Sequence, residues 1–184
     1  MPIKFPIEVI KKEHNCINYL ETGLYNANDK TISCRKALAC NFNHVFSIEL
    51  NEEYINIGKK IFNNYIKNNK LTLIYDNSKN LLKYLNLYKG HFKEKTIFFL
   101  DAHIGKGWSK DKEWPLFDEL EAIKSLERND NIILIDDLRI IFENMTMEDL
   151  QNKVLEINPK YKFKTLKGYV KNDVLFCYFG NSSI

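Results

Sequence analysis

Apolar positions along the chain fall into short runs and helically spaced runs, and the two kinds alternate from about residue 17 onward. Residues 17–21, 45–50, 70–75, 96–101 and 131–136 form the short runs. The last two are continuous and end abruptly in acid, as central parallel strands buried on both faces do. Between the strands, residues 30–41, 51–68, 78–87, 115–128 and 147–156 read as helices. In 51–68 the spacing puts Tyr54, Ile57, Ile61, Phe62 and Tyr65 on one face. Asn51 suits the N-cap there, and Glu52 and Glu53 suit the positive end of the helix dipole. Pro115 opens its helix in a first turn, where proline is favourable. Residues 161–166 and 174–179 are two further strands, close enough to predict a hairpin and an antiparallel ending. The pattern predicts an α/β class: a Rossmann-like, doubly wound, mostly parallel seven-stranded sheet with a C-terminal antiparallel hairpin and helices on both faces. A single domain accounts for residues 1–184, with 1–15 as an N-terminal extension.

Composition narrows the function without choosing it. Hydrophobic residues make up 45% and charged residues 28%, a globular rather than a disordered balance. Lys and Arg number 27 against 24 for Asp and Glu, too small an excess to argue for nucleic acid or membrane. The lysines of 160–171 alternate with Tyr161, Phe163 and Leu166, as in a hairpin with one wet face. No apolar stretch is long enough to span a bilayer. Cys16, Cys34, Cys40 and Cys177 match no zinc spacing, and the first residues do not resemble a signal peptide. A reduced, cytoplasmic protein is expected. His14, His44 and His91 are expected on the surface.

Ligands of open α/β sheets bind beyond the carboxyl ends of the strands, near the point where strand order reverses. The residues that follow the predicted strands are Glu21-Thr22-Gly23, Glu49, Asp76-Asn77-Ser78, Asp101-Ala102-His103 and Asp136-Asp137. Gly23 lies in a strand-to-helix turn, where it admits positive φ and close approach of a ligand to the backbone. Positions 25 and 27 are not glycine, so the dinucleotide fingerprint is absent and a ligand without phosphates is favoured. Glu49 can accept both hydroxyls of a ribose, or it can be an ordinary helix-capping acid. Asp101, Asp136 and Asp137 would converge at one rim and repel unless protonated, paired or bridging a cation. Oxygen-only ligands suit Mg²⁺ or another hard divalent ion. Alternatively Asp136 and Asp137 cap the following turn, with Arg139 as ion-pair partner. His103 is a candidate general base, or else a plain loop histidine. Gly105, Gly107 and Trp108 could make the loop beyond it a lid.

Several of these segments together resemble class I S-adenosylmethionine-dependent methyltransferases, and small O-methyltransferases in particular. They are Glu21-Thr22-Gly23-Leu24-Tyr25 with 45–50, Asp76-Asn77-Ser78, Phe99-Leu100-Asp101-Ala102-His103, Pro115-Leu116 with Glu119-Leu120, and Ile133-Leu134-Ile135-Asp136-Asp137. The resemblance spans roughly residues 15 to 180. It implies a cofactor half, 16–101, and an acceptor half, 102–184. Glu21, Thr22, Gly23 and Tyr25 would surround the methionine part of the cofactor, with Asp101 also touching it. Glu49 and Leu50 would hold the ribose, and Asn77 and Ser78 the adenine edge. Ala27 replaces the usual third glycine.

The resemblance to metal-dependent members implies a divalent ion on Asp101, Asp136 and Asp137, with Asp101, Asp136 and His103 carrying the chemistry. The expected reaction is methyl transfer to a hydroxyl of a small polar acceptor, a sugar being the first choice. A metal-dependent phosphohydrolase is one alternative, although it wants Asp-x-Asp where position 103 is histidine. A non-catalytic nucleoside-binding module is another. The chain lacks the Asn/Asp-Pro-Pro-Tyr/Phe motif, which disfavours a nucleic-acid acceptor. No membrane partner is expected, and a homodimer is kept as an option for assembly.

Overall fold

The computed structural model describes residues 4–102, 114–143 and 145–184. Its strands are β1 (Asn18–Thr22), β2 (His44–Glu49), β3 (Leu71–Tyr75), β4 (Thr96–Leu100), β5 (Ile132–Ile135), β6 (Lys162–Leu166) and β7 (Val174–Tyr178). They form one sheet in the order β3-β2-β1-β4-β5-β7-β6. The first five strands pair in parallel, whereas β7 is antiparallel to both β5 and β6. The expected doubly wound sheet with an antiparallel ending is therefore present. Its order steps outward from β1 to β3 and returns to β4, beside β1, which creates a switch point between those two strands.

Successive side chains of the central strands enter two separate cores. Ile97 and Phe99 of β4 belong to one, with Phe98 and Leu100 in the other. This two-sided burial explains the lack of polar alternation in 96–101 and 131–136. The first core is covered by α1 (Ile7–Glu13), α2 (Ser33–Ala39) and α3 (Glu52–Ile61). The second is covered by α5 (Leu81–Leu87), α7 (Leu116–Lys124), α8 (Leu138–Ile141) and α9 (Met147–Leu155). Two further short helices among the described residues are α4 (Asn63–Lys67) and α6 (Lys89–Phe92). No described helix is long and apolar enough to cross a membrane.

Local signals explain several helix starts. The Asn51 side chain accepts from the amides of Glu53 and Tyr54, as an N-cap should. Thr146 and Asp149 form a reciprocal capping box at the head of α9.

Three expectations need correction. Residues 51–68 are not one helix, because α3 ends at Phe62, which is buried between α3 and α4 with Arg35 over its ring at 5.2 Å. Its buried face is Ile55, Gly58 and Phe62, whereas Ile61 and Tyr65 are exposed. The segment 1–15 contains α1, which seats Ile7 and Ile10 in the core; so few apolar residues give little periodicity to read. Finally, His14 and His44 are buried. The His14 ring lies 5.6 Å from that of Phe176. His44 lies with Nδ1 3.1 Å from the Asn69 carbonyl and Nε2 2.8 Å from the Thr72 hydroxyl. A carbonyl only accepts, so the proton belongs on Nδ1 and Thr72 donates to Nε2. Burial, then the neighbouring His91, pushes the pKa of His44 down to about 4.

Candidate active site

The parallel strands end level with one another. Register pairs Thr22 with Ile48 and Leu100, and Leu100 with Ile135. The next residues extend the ladder by one bond: Gly23 N donates to Ile48 O at 2.8 Å, Asp101 N to Thr22 O at 3.2 Å and Asp136 N to Leu100 O at 3.1 Å. The residues expected at the strand ends therefore share one rim of the sheet.

Gly23 has φ +91°, and a Cβ there would lie 2.7 Å from the carbonyl oxygen of Asp101. Only glycine meets both demands, which pins the turn after β1 against the end of β4 at the switch point. Tyr25 also adopts a left-handed φ, +61°, a cost carried by a residue with a side chain. Its amide donates to Glu49 Oε2 at 2.9 Å, and the Asn51 amide donates to Glu49 Oε1 at 2.8 Å. Glu49 is half-buried, and these two bonds orient its carboxylate while leaving each oxygen a further lone pair. Leu50 beside it is exposed.

Glu21 and Thr22 point to opposite faces. Glu21 is fully buried, accepting from Tyr19 Oη at 3.1 Å and Ser47 Oγ at 2.7 Å. Burial pushes its pKa up to about 7, against the hydroxyls that hold it down. The Asp101 amide also meets Thr22 Oγ1, at 3.3 Å. At the third strand, Asp76 accepts from the Tyr84 hydroxyl at 2.5 Å, and this bond leads those that hold its pKa down to about 2. Asn77 Oδ1 caps the short turn Ser78–Asn80 by accepting from the Lys79 amide at 3.0 Å, and Ser78 is buried.

Asp101, Asp136 and Asp137 are all buried, and they line one cleft between the ends of β4 and β5 and the helices α7 and α8. Burial, and then the facing Asp101 carboxylate, pushes the pKa of Asp136 up to about 7. Asp137 takes a left-handed φ of +60° at the head of α8, and the Arg139 guanidinium lies 2.6 Å from its Oδ1. The ion-pair partnership foreseen for Arg139 is present. His103, with Gly105, Gly107 and Trp108, lies outside the described residues.

Two acids of this region received no role from the sequence. Asp173 precedes β7, whose antiparallel course brings its start to the end of β5. It accepts from Arg139 and from the amides of Tyr169 and Val170, at 3.1 and 3.3 Å for the latter two. Ligand-facing positions of a parallel sheet follow its strands, whereas Asp173 precedes an antiparallel one, so the strand-end pattern does not reach it. Glu119 is buried on α7 and lines the cleft with Asp101 and Asp136. Its signal was legible as a charge on the apolar stripe formed by Leu116, Leu120 and Ile123.

Asp136, Asp137 and Asp173 each offer an oxygen within 4.8 Å of the others. Their chemistry suits a hard divalent ion. However, Arg139 already bridges Asp137 and Asp173 and offsets part of the charge of this group.

No family model matches the sequence. A UDP-N-acetylmuramoyl-L-alanyl-D-glutamate–2,6-diaminopimelate ligase of Wigglesworthia glossinidia brevipalpis is 26% identical over 127 residues, 66% of this chain. The chain spans only 24% of that relative's length. Solved structures are more informative about the fold. An O-methyltransferase from Bacillus cereus in complex with S-adenosylhomocysteine superposes with a TM-score of 0.61 at 12% identity, over 95% of this chain and 79% of its own. The chain has the fold of the class I S-adenosylmethionine-dependent O-methyltransferases. An rRNA methylase from Streptococcus thermophilus shares this methyltransferase fold, with a TM-score of 0.57 at 14% identity over 98% of this chain and 100% of its own. A methyltransferase fold alone thus leaves the acceptor open, and the cleft must supply that argument.

Proposed function

We propose that the protein transfers a methyl group from S-adenosylmethionine to a hydroxyl of a small polar acceptor, a sugar being the first choice. The observation that carries the reading is the switch-point crevice, where Gly23 packs on the Asp101 backbone and Glu49 is held by the amides of Tyr25 and Asn51. A nucleoside without phosphates suits this crevice, since the second glycine of a pyrophosphate loop is replaced by Tyr25. In this reading Glu49 accepts the ribose hydroxyls, with Leu50 beside it. Asn77 and Ser78 border the adenine, and Glu21, Thr22, Gly23 and Tyr25 frame the methionine end. Glu21 acts from beneath the turn, because its carboxylate is fully buried. Residues 16–101 form the cofactor half and 102–184 the acceptor half.

Bound S-adenosylmethionine supplies an activated methyl on a sulfonium, so the chain itself needs only to position the acceptor and remove its proton. His103, two positions beyond Asp101, is the proposed base that takes the hydroxyl proton. Asp101, Asp136 and the oxygen of Asp137 turned away from Arg139 would hold a divalent ion, which would lower the pKa of the acceptor hydroxyl. The protein is taken to work in the cytoplasm, in keeping with four free cysteines, three of them buried.

Calorimetry with S-adenosylhomocysteine tests the cofactor half. Glu49→Ala is expected to lose on the order of 2–4 kcal/mol of binding, the worth of two charge-assisted hydrogen bonds. Unchanged affinity would remove Glu49 from the site, and absence of binding by the wild type would end the reading. Transfer of labelled methyl to a panel of sugars and catechols, with and without chelator, tests acceptor class and metal together. Full activity in chelator would leave His103 to act without an ion.

A further inference from the structure

We infer that Glu119 is a positioning residue for the cofactor: from α7 it ties Thr22 to Ser78, and so fixes the methionine end of the crevice relative to the adenine end. This inference rests on the methyltransferase reading and names what aligns the two ends of the same cofactor site. Thr22 shares a strand face with Leu20, which enters the core that α7 covers. Ser78 opens the short turn that packs against α7 and leads into α5. Glu119 is buried between the two, on a stripe of α7 otherwise made of Leu116, Leu120 and Ile123. Burial pushes its pKa up to about 7, and the Ser78 and Thr22 hydroxyls hold it down against that. A carboxyl on an apolar stripe carries a burial cost that a leucine would not, and the bonds to these two hydroxyls offset it.

Donor and acceptor roles make the tie continuous. Thr22 Oγ1 accepts from the Asp101 amide at 3.3 Å, which leaves its own proton for Glu119. Ser78 brings its hydroxyl proton from the other side. Glu119 therefore joins the ends of β1 and β4, through Thr22, to the turn after β3. The backbone does not make this link: β2 lies between β1 and β3, so no ladder bond runs from the turn after β1 to the turn after β3. A ligand that touches both turns must find them already spaced, or it spends binding energy on ordering them. A ligand that touches one turn escapes that cost.

Two probes separate positioning from local packing. S-adenosylhomocysteine spans both ends of the crevice, whereas 5′-methylthioadenosine lacks the amino-acid end. Glu119→Met keeps the bulk of the side chain and removes both acceptor oxygens. In calorimetry it is expected to weaken S-adenosylhomocysteine about tenfold, the order of one hydrogen bond, while 5′-methylthioadenosine stays within about twofold. Glu119→Gln, whose amide oxygen still accepts, should recover most of the lost affinity. Thr22→Val combined with Ser78→Ala severs the same tie from its far side and leaves the carboxyl in place. Its loss of S-adenosylhomocysteine affinity should match that of Glu119→Met, and the triple variant should be no weaker than either. Unchanged S-adenosylhomocysteine affinity in Glu119→Met, equal losses of the two probes, or losses that add in the triple variant overturn the inference. So does full affinity in the hydroxyl pair, which decides the matter if Glu119→Met does not fold. A wild type that binds no S-adenosylhomocysteine ends the methyltransferase reading, whereas wild-type binding that Glu119→Met leaves intact ends only the present one.

Discussion

Single residues at the rim carry constraints that can be measured one at a time. Gly23→Ala should destabilise the protein by about 2 kcal/mol or more, since it combines a strained left-handed φ with a clash against the Asp101 carbonyl. A urea midpoint that does not move would show that the turn relaxes away from β4. Glu21 makes a prediction about pH. Its folded-state pKa of about 7 lies above the ordinary 4.5, so the native protein binds the proton more tightly than the unfolded chain does. The stabilisation this gives is fully present below pH 4.5 and is lost as pH rises to about 7. Glu21→Gln should therefore lose less stability across that window than the wild type, by on the order of 3 kcal/mol, in urea melts at the two ends. Parallel curves would mean that the carboxyl finds water.

Pairs of elements set the approach distances that shape the site. Gly58 lets α3 settle on the sheet, because a Cβ there would come within 2.9 Å of Leu24 Cδ2 and 3.0 Å of Leu73 Cδ1. Gly58→Val should cost about 1–3 kcal/mol through overpacking. Because Leu24 belongs to the turn after β1, the variant should also weaken S-adenosylhomocysteine, which calorimetry can check. At the other side of the rim, Arg139 ties α8 to the loop before β7 through Asp137 and Asp173. Arg139→Met strands two buried carboxylates and should cost roughly 1–3 kcal/mol of stability. It also removes a resident cation, so Mn²⁺ should bind more tightly to the variant; weaker binding would mean that Arg139 orients Asp137 for the ion. The sequence pattern was fully legible for the central strands and poor for these contacts. The pairing of Gly58 with Leu73, or of Arg139 with Asp173, joins positions whose separation along the chain says nothing about their distance.

At the scale of the whole molecule, the sheet order predicts where the fold is most resistant. β1 and β4 lie at the centre, covered on both faces, whereas β6 is an edge with exposed Lys162. Native-state hydrogen exchange should be slowest in β1 and β4 and fastest, among the strands, in β6. Uniform protection across the sheet would mean that it opens only as a unit.

Periodicity, strand-terminal acids and the glycine at position 23 are local properties, so the chain by itself determined the α/β class, the mostly parallel sheet and the rim on which the strand-terminal acids stand. Burial of an individual polar side chain is set by what packs over it from elsewhere. For that reason only the tertiary structure decided that Glu21 sits beneath the turn, that His14 and His44 are interior, that α1 belongs to the core, and that Glu119 and Asp173 join the acids of the cleft. Spacing along a chain encodes which face a residue takes; the three-dimensional packing of distant segments sets the dielectric around it, and with it the charge it can hold.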